Sequence, residues 1–139
     1  MDLIEVELSR VIIQQKGDQQ YLNLRERQGT RTFSIVIGFN EVEEINRKLC
    51  GYETQRPLTH DLIARVIGAL GHRLQRIVVN DLREGTFYAF LGLTPKDAPP
   101  DAGAELTVDC RPSDAIALAV QTHARIFVAR HVFDEVCTD

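Results

Sequence analysis

The sequence lacks the features of a disulfide-rich, zinc-binding or membrane-spanning protein. Its three cysteines, Cys50, Cys110 and Cys137, are odd in number and widely spaced, which excludes a disulfide framework and a CxxC zinc pattern. No hydrophobic run approaches the roughly 20 residues of a membrane-spanning helix. The N-terminal stretch contains acidic side chains rather than a basic and then apolar leader. We therefore expect a soluble, cytoplasmic protein with no membrane partner.

Positive charge is also scarce. The chain has 16 Lys and Arg against 20 Asp and Glu, which gives a net charge of −4 and a pI near 5.6. Proteins that hold nucleic acid by bulk electrostatics have clustered Lys and Arg, so any contact with DNA or RNA has to be local or assisted by bound cations. With 139 residues, 44% of them hydrophobic, the chain is predicted to form a single domain, residues 1–139.

Alternating apolar residues predict an antiparallel β-meander in the first third of the chain and a β-hairpin in the middle. We expect an α+β fold, with a mixed, largely antiparallel sheet packed against about three helices. The predicted strands are 4–13, 21–26, 32–37, 73–79, 86–93, 106–110 and 126–129, and the predicted helices are 40–50, 59–70 and one that begins near Ser113.

Finer predictions concern helix caps and sheet edges. Asn40, with Glu43 three residues later, matches a capping box at the first helix, and Thr59 is the expected cap of the second. His123 follows the third helix, where it has to adopt the left-handed conformation. The apolar stretch 126–129 is expected at a sheet edge, and protection of that edge by self-association favours a homodimer.

The polar residues of greatest interest lie at a strand-to-helix junction. Asp109, Arg111, Ser113 and Asp114 stand between an alternating strand and the strongly apolar run 115–120. A helix N-terminus offers unpaired backbone N–H groups and partial positive charge, so an anion can bind there. The alternative is structural, because cap residues and a first-turn aspartate also stabilise a helix without any ligand.

Two further motifs contain candidate site residues. His60 and Asp61 occupy the first turn of the second predicted helix, where a neutral histidine suits a base or metal ligand, or is simply hydrogen-bonded at the surface. Asp81 and Arg83 lie in the predicted loop of the central hairpin. Tyr88 follows on the return strand, on the face away from the main apolar row.

Three stretches together, PLTHD at 57–61, DLREGTFYA at 81–89 and DCRPSDAIALA at 109–119, make the chain resemble the bifunctional nuclease family. The resemblance covers roughly residues 2–136. It implies a mixed α+β domain, nuclease activity on DNA and RNA, and self-association. It brings no catalytic residues with it, so their assignment depends on the chemistry of this chain.

The chain departs from the family pattern in several places, one of which is Cys110, where a small alanine is frequent. Ser34, Val36 and Ile37 stand in a stretch where the family usually has a proline and a tryptophan before isoleucine and glycine. This difference puts any contact made by the aromatic ring in doubt. After the third helix, where glycine, alanine and proline are common, this chain has His123, Ala124 and Arg125 instead.

A nuclease needs a nucleophilic water, neutralisation of the charge that develops on phosphorus, and help for the leaving oxygen. Mg²⁺ or Mn²⁺ held by carboxylates can provide all three. The candidate catalytic residues are His60, Asp61, Asp81, Asp109 and Asp114, and the candidate metal ligands among them are Asp81, Asp109 and Asp114. The arginines can clamp phosphate and the tyrosine can stack on a base, so the candidate substrate-binding residues are Arg83, Tyr88, Arg111 and Ser113.

The competing hypothesis is a non-catalytic binding or assembly module, in which the same residues form a structural ion-pair network. The two hypotheses predict different arrangements. Convergence of His60, Asp81, Asp109 and Asp114 on one solvent-reachable cleft favours chemistry. Burial of each residue with its own arginine favours the module.

Overall fold

The computed structural model describes residues 2–14, 19–99 and 104–137, and within them the predicted α+β fold is confirmed. Seven strands form one sheet, and the described residues include four helices. In chain order the elements are β1 (Leu3–Ile12), β2 (Gln20–Glu26), β3 (Thr32–Ile37), α1 (Phe39–Cys50), α2 (Thr59–Ala69), β4 (His72–Arg83), β5 (Thr86–Pro95), β6 (Leu106–Cys110), α3 (Pro112–Thr122), β7 (Arg125–Ala129) and α4 (Arg130–Val136).

The sheet is mixed and largely antiparallel, as the sequence predicts. Its strand order is β3-β2-β1-β7-β4-β5-β6, and only the β4–β7 pair is parallel. The meander β1-β2-β3 forms one side and the hairpin β4-β5, extended by β6, forms the other. The strand β7 joins the two sides, so one continuous core serves both.

The expectation that 126–129 forms a sheet edge is wrong. Strand β7 lies between β1 and β4, and Ile126, Val128 and Ala129 are all buried. A short run of apolar residues without alternation is typical of a strand that is covered on both faces. The sheet edges are β3 and β6 instead.

The central hairpin is confirmed, and it is longer than predicted. Strand β4 continues to Arg83 and strand β5 begins at Thr86, so the turn itself contains only Glu84 and Gly85. Both turn residues have positive φ, 51° and 78° respectively, which is the requirement of a type I′ turn. The ladder shifts register on either side of Asn80, so Asp81 pairs with Tyr88.

One face of the sheet is covered by helices. The helix α3 is the most deeply buried, since residues 115–119 are all at most 2% exposed. It packs against α1 and against strands β4 and β5, while α2 lies beside α3 and β4. None of the described helices has the length and hydrophobicity that crossing a membrane requires. The starts of α2 and α3 thereby come close to α1.

The helix caps differ in part from the prediction. The N-cap of α1 is Gly38 rather than Asn40, and the N-cap of α2 is Leu58 rather than Thr59. In both cases the helix begins earlier than the nearest polar cap residue, because tertiary packing outweighs local cap preference. Arg111 precedes α3, and His123 adopts the predicted left-handed conformation at its end, with φ of 61°.

Candidate functional site

The first turns of α2 and α3 meet through a histidine and an aspartate. His60 is the second residue of α2 and Asp114 is the third residue of α3. The ring atom Nε2 of His60 lies 3.0 Å from Oδ1 of Asp114. The two residues are 54 positions apart in the chain, so the fold creates this pair.

Arg111 binds the same carboxylate in a bidentate manner. Its Nε donates to Oδ2 and its Nη2 to Oδ1 of Asp114, both at 3.0 Å. Its Nη1 donates to Glu41 of α1 at 3.1 Å. The hydrogen bond from His60, together with the Arg111 guanidinium, holds the pKa of Asp114 well below its usual range. Asp114 is therefore ionised at neutral pH and accepts hydrogen bonds from both partners.

The second ring nitrogen of His60 has no comparable partner. Its Nδ1 lies 3.7 Å from Oε1 of Glu44, which is beyond hydrogen-bond distance. Glu44 is instead bound by Arg47 at 2.8 Å. His60 also lines a cavity of about 520 Å³, together with Thr59 and Leu62. The arrangement orients the ring through one nitrogen and leaves the other available.

Asp61 points to a different set of partners. Its carboxylate accepts hydrogen bonds from Lys48, from Arg47 at 3.4 Å and from the backbone N–H of Leu58 at 2.9 Å. The hydrogen bond from Lys48 is the main cause of the lowered pKa of Asp61. The Lys48 side chain is only 6% exposed, so this contact fastens α2 to α1 in a nearly buried environment.

Ser113 and Arg111 line a second cavity, of about 310 Å³, between the start of α3 and the turn of the central hairpin. Gly85 and Glu41 contribute to the same wall. Ser113 is only 6% exposed, whereas the Arg111 side chain is 63% exposed. The N-cap residue Arg111 makes no side-chain cap hydrogen bond, so it does not pair the first backbone N–H groups of α3.

We use the name helix-junction network for the charged residues that join these three helices. Asp114 and His60 are its centre. Its members are Glu41, Glu44, Arg47, Lys48, His60, Asp61, Arg111 and Asp114.

Asp81, Arg83 and Tyr88 form a separate group, which with His131 we call the hairpin cluster. Asp81 accepts a hydrogen bond from Nε of Arg83 at 2.7 Å, and Nε2 of His131 lies 3.4 Å away. The Arg83 guanidinium lies 4.8 Å from the Tyr88 ring centre. Hydrogen bonding from Arg83 lowers the pKa of Asp81. Because Asp81 pairs with Tyr88 while neighbouring Ala89 faces the core, the Asp81 and Tyr88 side chains are on the sheet face opposite α3.

Asp109 joins neither group. It lies on edge strand β6 opposite Phe90, it is exposed, and no described residue pairs with its carboxylate. The predicted ligand set Asp81, Asp109 and Asp114 is thus spread over two faces of the sheet. Within 2–14, 19–99 and 104–137, no three His, Cys, Asp or Glu side chains are placed to hold a metal ion. A requirement for Mg²⁺ or Mn²⁺ stays a prediction.

The sequence reasoning missed the contribution of α1. Its charged face contains Glu41, Glu44, Arg47 and Lys48, which look like a solvated surface with i,i+4 pairs. In the fold this face is covered by α2 and α3, and the Lys48 side chain is nearly buried. In the sequence, the burial of this charged face is indicated only by the high density of charge on one short helix.

The thiol next to Arg111 is poorly suited to act as a nucleophile. Cys110 ends β6 next to Arg111, and burial raises its pKa to about 12. Only the thiolate form attacks or binds metals efficiently. Cys110 therefore serves as a small apolar residue against the core.

Comparison with known proteins identifies the family of the chain. A family model described as the bifunctional nuclease domain matches residues 22–139. Two uncharacterized proteins, from two strains of Mycobacterium tuberculosis, are each 39% identical to the chain over 128 residues, which is 92% of this chain and 73% of theirs. The match includes α1, the helix-junction network and the central hairpin. The chain therefore belongs to the bifunctional nuclease domain family.

Proposed function

We propose that the protein is a nuclease that hydrolyses phosphodiester bonds in DNA or RNA at the helix-junction network. The observation that supports it most is the His60–Asp114 pair, assembled from distant helices beside Arg111 in a chain of this family. A histidine held by a carboxylate is the usual arrangement of a general base.

The proposed role of His60 is to accept a proton from the attacking water. The carboxylate of Asp114 accepts a hydrogen bond from the Nε2–H group of His60. It thereby selects the tautomer that leaves Nδ1 unprotonated. Glu44, at 3.7 Å from Nδ1, is too distant for a hydrogen bond but stabilises positive charge on the ring. The cavity that His60 lines provides room for water and substrate.

The proposed role of Arg111 is to bind the phosphate. Three of its five N–H groups are occupied by Asp114 and Glu41, and its side chain is 63% exposed. The remaining N–H groups, with the first backbone N–H groups of α3 at Ser113, can contact a phosphate oxygen.

A second candidate function is the non-catalytic binding or assembly module. The observation that favours it is that Asp61, Asp81 and Asp114 each have a basic partner of their own. Such networks are common structural features. Under this hypothesis the same surface binds nucleic acid or a protein without cleaving it.

We also propose that the protein is a homodimer. The flank of α2 exposes Leu62 and Val66, and edge strand β6 exposes Leu106 and Val108. Exposed apolar side chains next to an open strand edge favour contact with a second copy. Sedimentation equilibrium tests this directly, and a monomer at micromolar concentration would exclude it.

The test of nuclease activity is cleavage of labelled single- and double-stranded DNA and RNA with Mg²⁺, with Mn²⁺ and with EDTA. The decisive variant is His60→Gln. Its matched control is His131→Gln, which removes the histidine that contacts Asp81 in the hairpin cluster. We expect loss of cleavage in His60→Gln alone. Absence of cleavage by the wild type with every cation, together with retained oligonucleotide binding, would support the module instead. The EDTA arm shows whether the activity requires a metal.

A further inference from the structure

We propose that a cleft between the α1–α2 loop and the end of α3 binds single-stranded nucleic acid and delivers it to His60. The cleft has a volume of about 740 Å³. The residues on which the proposal depends are Tyr52, Arg56, Arg65, Gln121 and His123. It rests on the proposed nuclease function, because it names the substrate class and the surface that holds it.

The cleft contains two arginines that are free to bind an anion. Arg56 and Arg65 are exposed, and neither guanidinium has an ion pair or hydrogen bond with any described residue. Arg47 and Lys48 line the same cleft, but Glu44 and Asp61 neutralise them. Glu53 also lines the cleft, so the two free arginines leave it with a small net positive charge, which a chain of net charge −4 does not provide overall.

An exposed aromatic ring stands beside these arginines. Tyr52 is 70% exposed, although its backbone is held in place. Its carbonyl accepts a hydrogen bond from Nη1 of Arg47 at 2.9 Å, and its N–H donates to the Arg47 carbonyl at 3.2 Å. A ring presented in this way can stack on a nucleobase.

The far wall of the cleft contains an unused acceptor. Gln121 lines the cleft, and its side-chain oxygen is buried without a hydrogen-bond partner among the described residues. Because this oxygen has no accessible surface, a base in the cleft contacts the rest of the Gln121 side chain and not this atom. His123 follows at the end of α3, exposed and in the left-handed conformation.

The cleft adjoins the proposed catalytic cavity. Pro57 lines both of them, and Asp61 in the cleft is the immediate neighbour of His60. A strand whose base stacks on Tyr52 and whose phosphates contact the free arginines would pass over Pro57 to His60. The shared wall is what links binding in the cleft to cleavage.

The chemistry of the cleft favours a single strand over a duplex. Stacking on Tyr52 needs a base that has been removed from a helical stack. In a duplex, base faces are covered and only the phosphates remain accessible. The cleft is therefore expected to bind single-stranded DNA or RNA more tightly than a duplex of the same length.

The experiment measures binding of a fluorescent single-stranded 12-mer by anisotropy in the His60→Gln background, so that cleavage does not consume the probe. Arg56→Ala, Arg65→Ala and Tyr52→Ala are compared with Arg10→Ala, which removes an exposed arginine from β1. We expect each substitution of a cleft arginine by alanine to reduce the magnitude of the negative slope of log K against log salt by about 0.7. This is the contribution of one phosphate contact to a single strand. Tyr52→Ala should weaken binding by roughly 5- to 100-fold and Tyr52→Phe should retain it.

Two outcomes would overturn the inference. The first is equal affinity of the Arg65→Ala and Arg10→Ala proteins. The second is a protein with His60 intact that carries the cleft substitutions and still cleaves with the KM of the wild type. The second result would refute the cleft and leave the nuclease function standing. Conversely, suppose that the wild type shows no cleavage while the cleft variants bind the oligonucleotide more weakly. That result would refute the nuclease function and support the cleft as a binding site. Circular dichroism of each variant shows that it is folded.

Discussion

The helix-junction network and the hairpin cluster contain the same kinds of residue in different arrangements. Each has an aspartate bound by a nearby arginine and by a histidine from a different secondary-structure element. At the junction the His60 side chain is 13% exposed and its contact with Asp114 is 3.0 Å. In the hairpin cluster the His131 side chain is 64% exposed and its contact with Asp81 is 3.4 Å.

The difference shows that an Asp–Arg pair by itself does not identify a site. Arg83 and Asp81 are two residues apart on one strand, so their pairing requires no tertiary structure. Three helices have to come together before His60, Asp114 and Glu41 can be bridged. Convergence of distant segments in a restricted environment is the stronger indication of function. Four predictions test this distinction, in order of decreasing effect.

The largest expected effect is on cleavage. Asp114→Asn removes the acceptor that orients His60 and should reduce kcat/KM by roughly 100-fold or more, the usual contribution of general acid–base catalysis. Asp81→Asn, the matched change in the hairpin cluster, should leave kcat/KM within about twofold, since it acts on an exposed pair. Steady-state cleavage assays of both variants make the comparison. Equal losses would show that the two groups act together.

The second prediction concerns the stability of the junction. Asp61→Ala leaves the Lys48 ammonium nearly buried without its main partner and the Leu58 N–H without an acceptor. We expect the free energy of unfolding to fall by about 2–3 kcal/mol. Urea denaturation measures it. Arg83→Ala in the hairpin cluster is the control and should change stability much less, because its side chain is 66% exposed.

The third prediction is the response to acid. The pKa values of Asp114 and Asp61 are lowered in the folded protein, by His60 with Arg111 and by Lys48 respectively. Their contribution to stability is fully present above the unfolded pKa of about 3.9 and is lost as the pH falls through the lower folded values. Asp114→Asn should therefore flatten the decline in stability below about pH 4. Asp109→Asn, which removes a carboxylate that pairs with no described residue, is the control for the loss of one negative charge.

The smallest effect is expected at the hairpin turn. Glu84 has φ of 51°, a conformation that asparagine adopts more easily than glutamate. Glu84→Asn should stabilise the protein by about 0.5 kcal/mol without changing cleavage. Thermal unfolding measures the gain. A loss of stability would mean that contacts of the Glu84 side chain stabilise the fold by more than its positive φ destabilises it.

Much of the fold could be predicted because strands and helices leave local patterns. The alternation in β1 to β3 and the two β-rich runs of the central hairpin correctly indicate antiparallel pairs, and the left-handed position of His123 follows from its place after α3. The location of β7 could not be predicted in this way. Its position between β1 and β4 depends on the path of the chain through α3, which no local pattern records.

The sequence by itself determined the residue types, the strand and helix pattern, and the family to which the chain belongs. Tertiary structure alone decided that His60 meets Asp114, that Asp81 is on the opposite sheet face, and that α1 supplies the remaining charges. The physical reason is that backbone hydrogen bonding and hydrophobic periodicity act over a few residues. Ion pairs act through space, and their partners are set by the packing of helices that lie far apart in the chain.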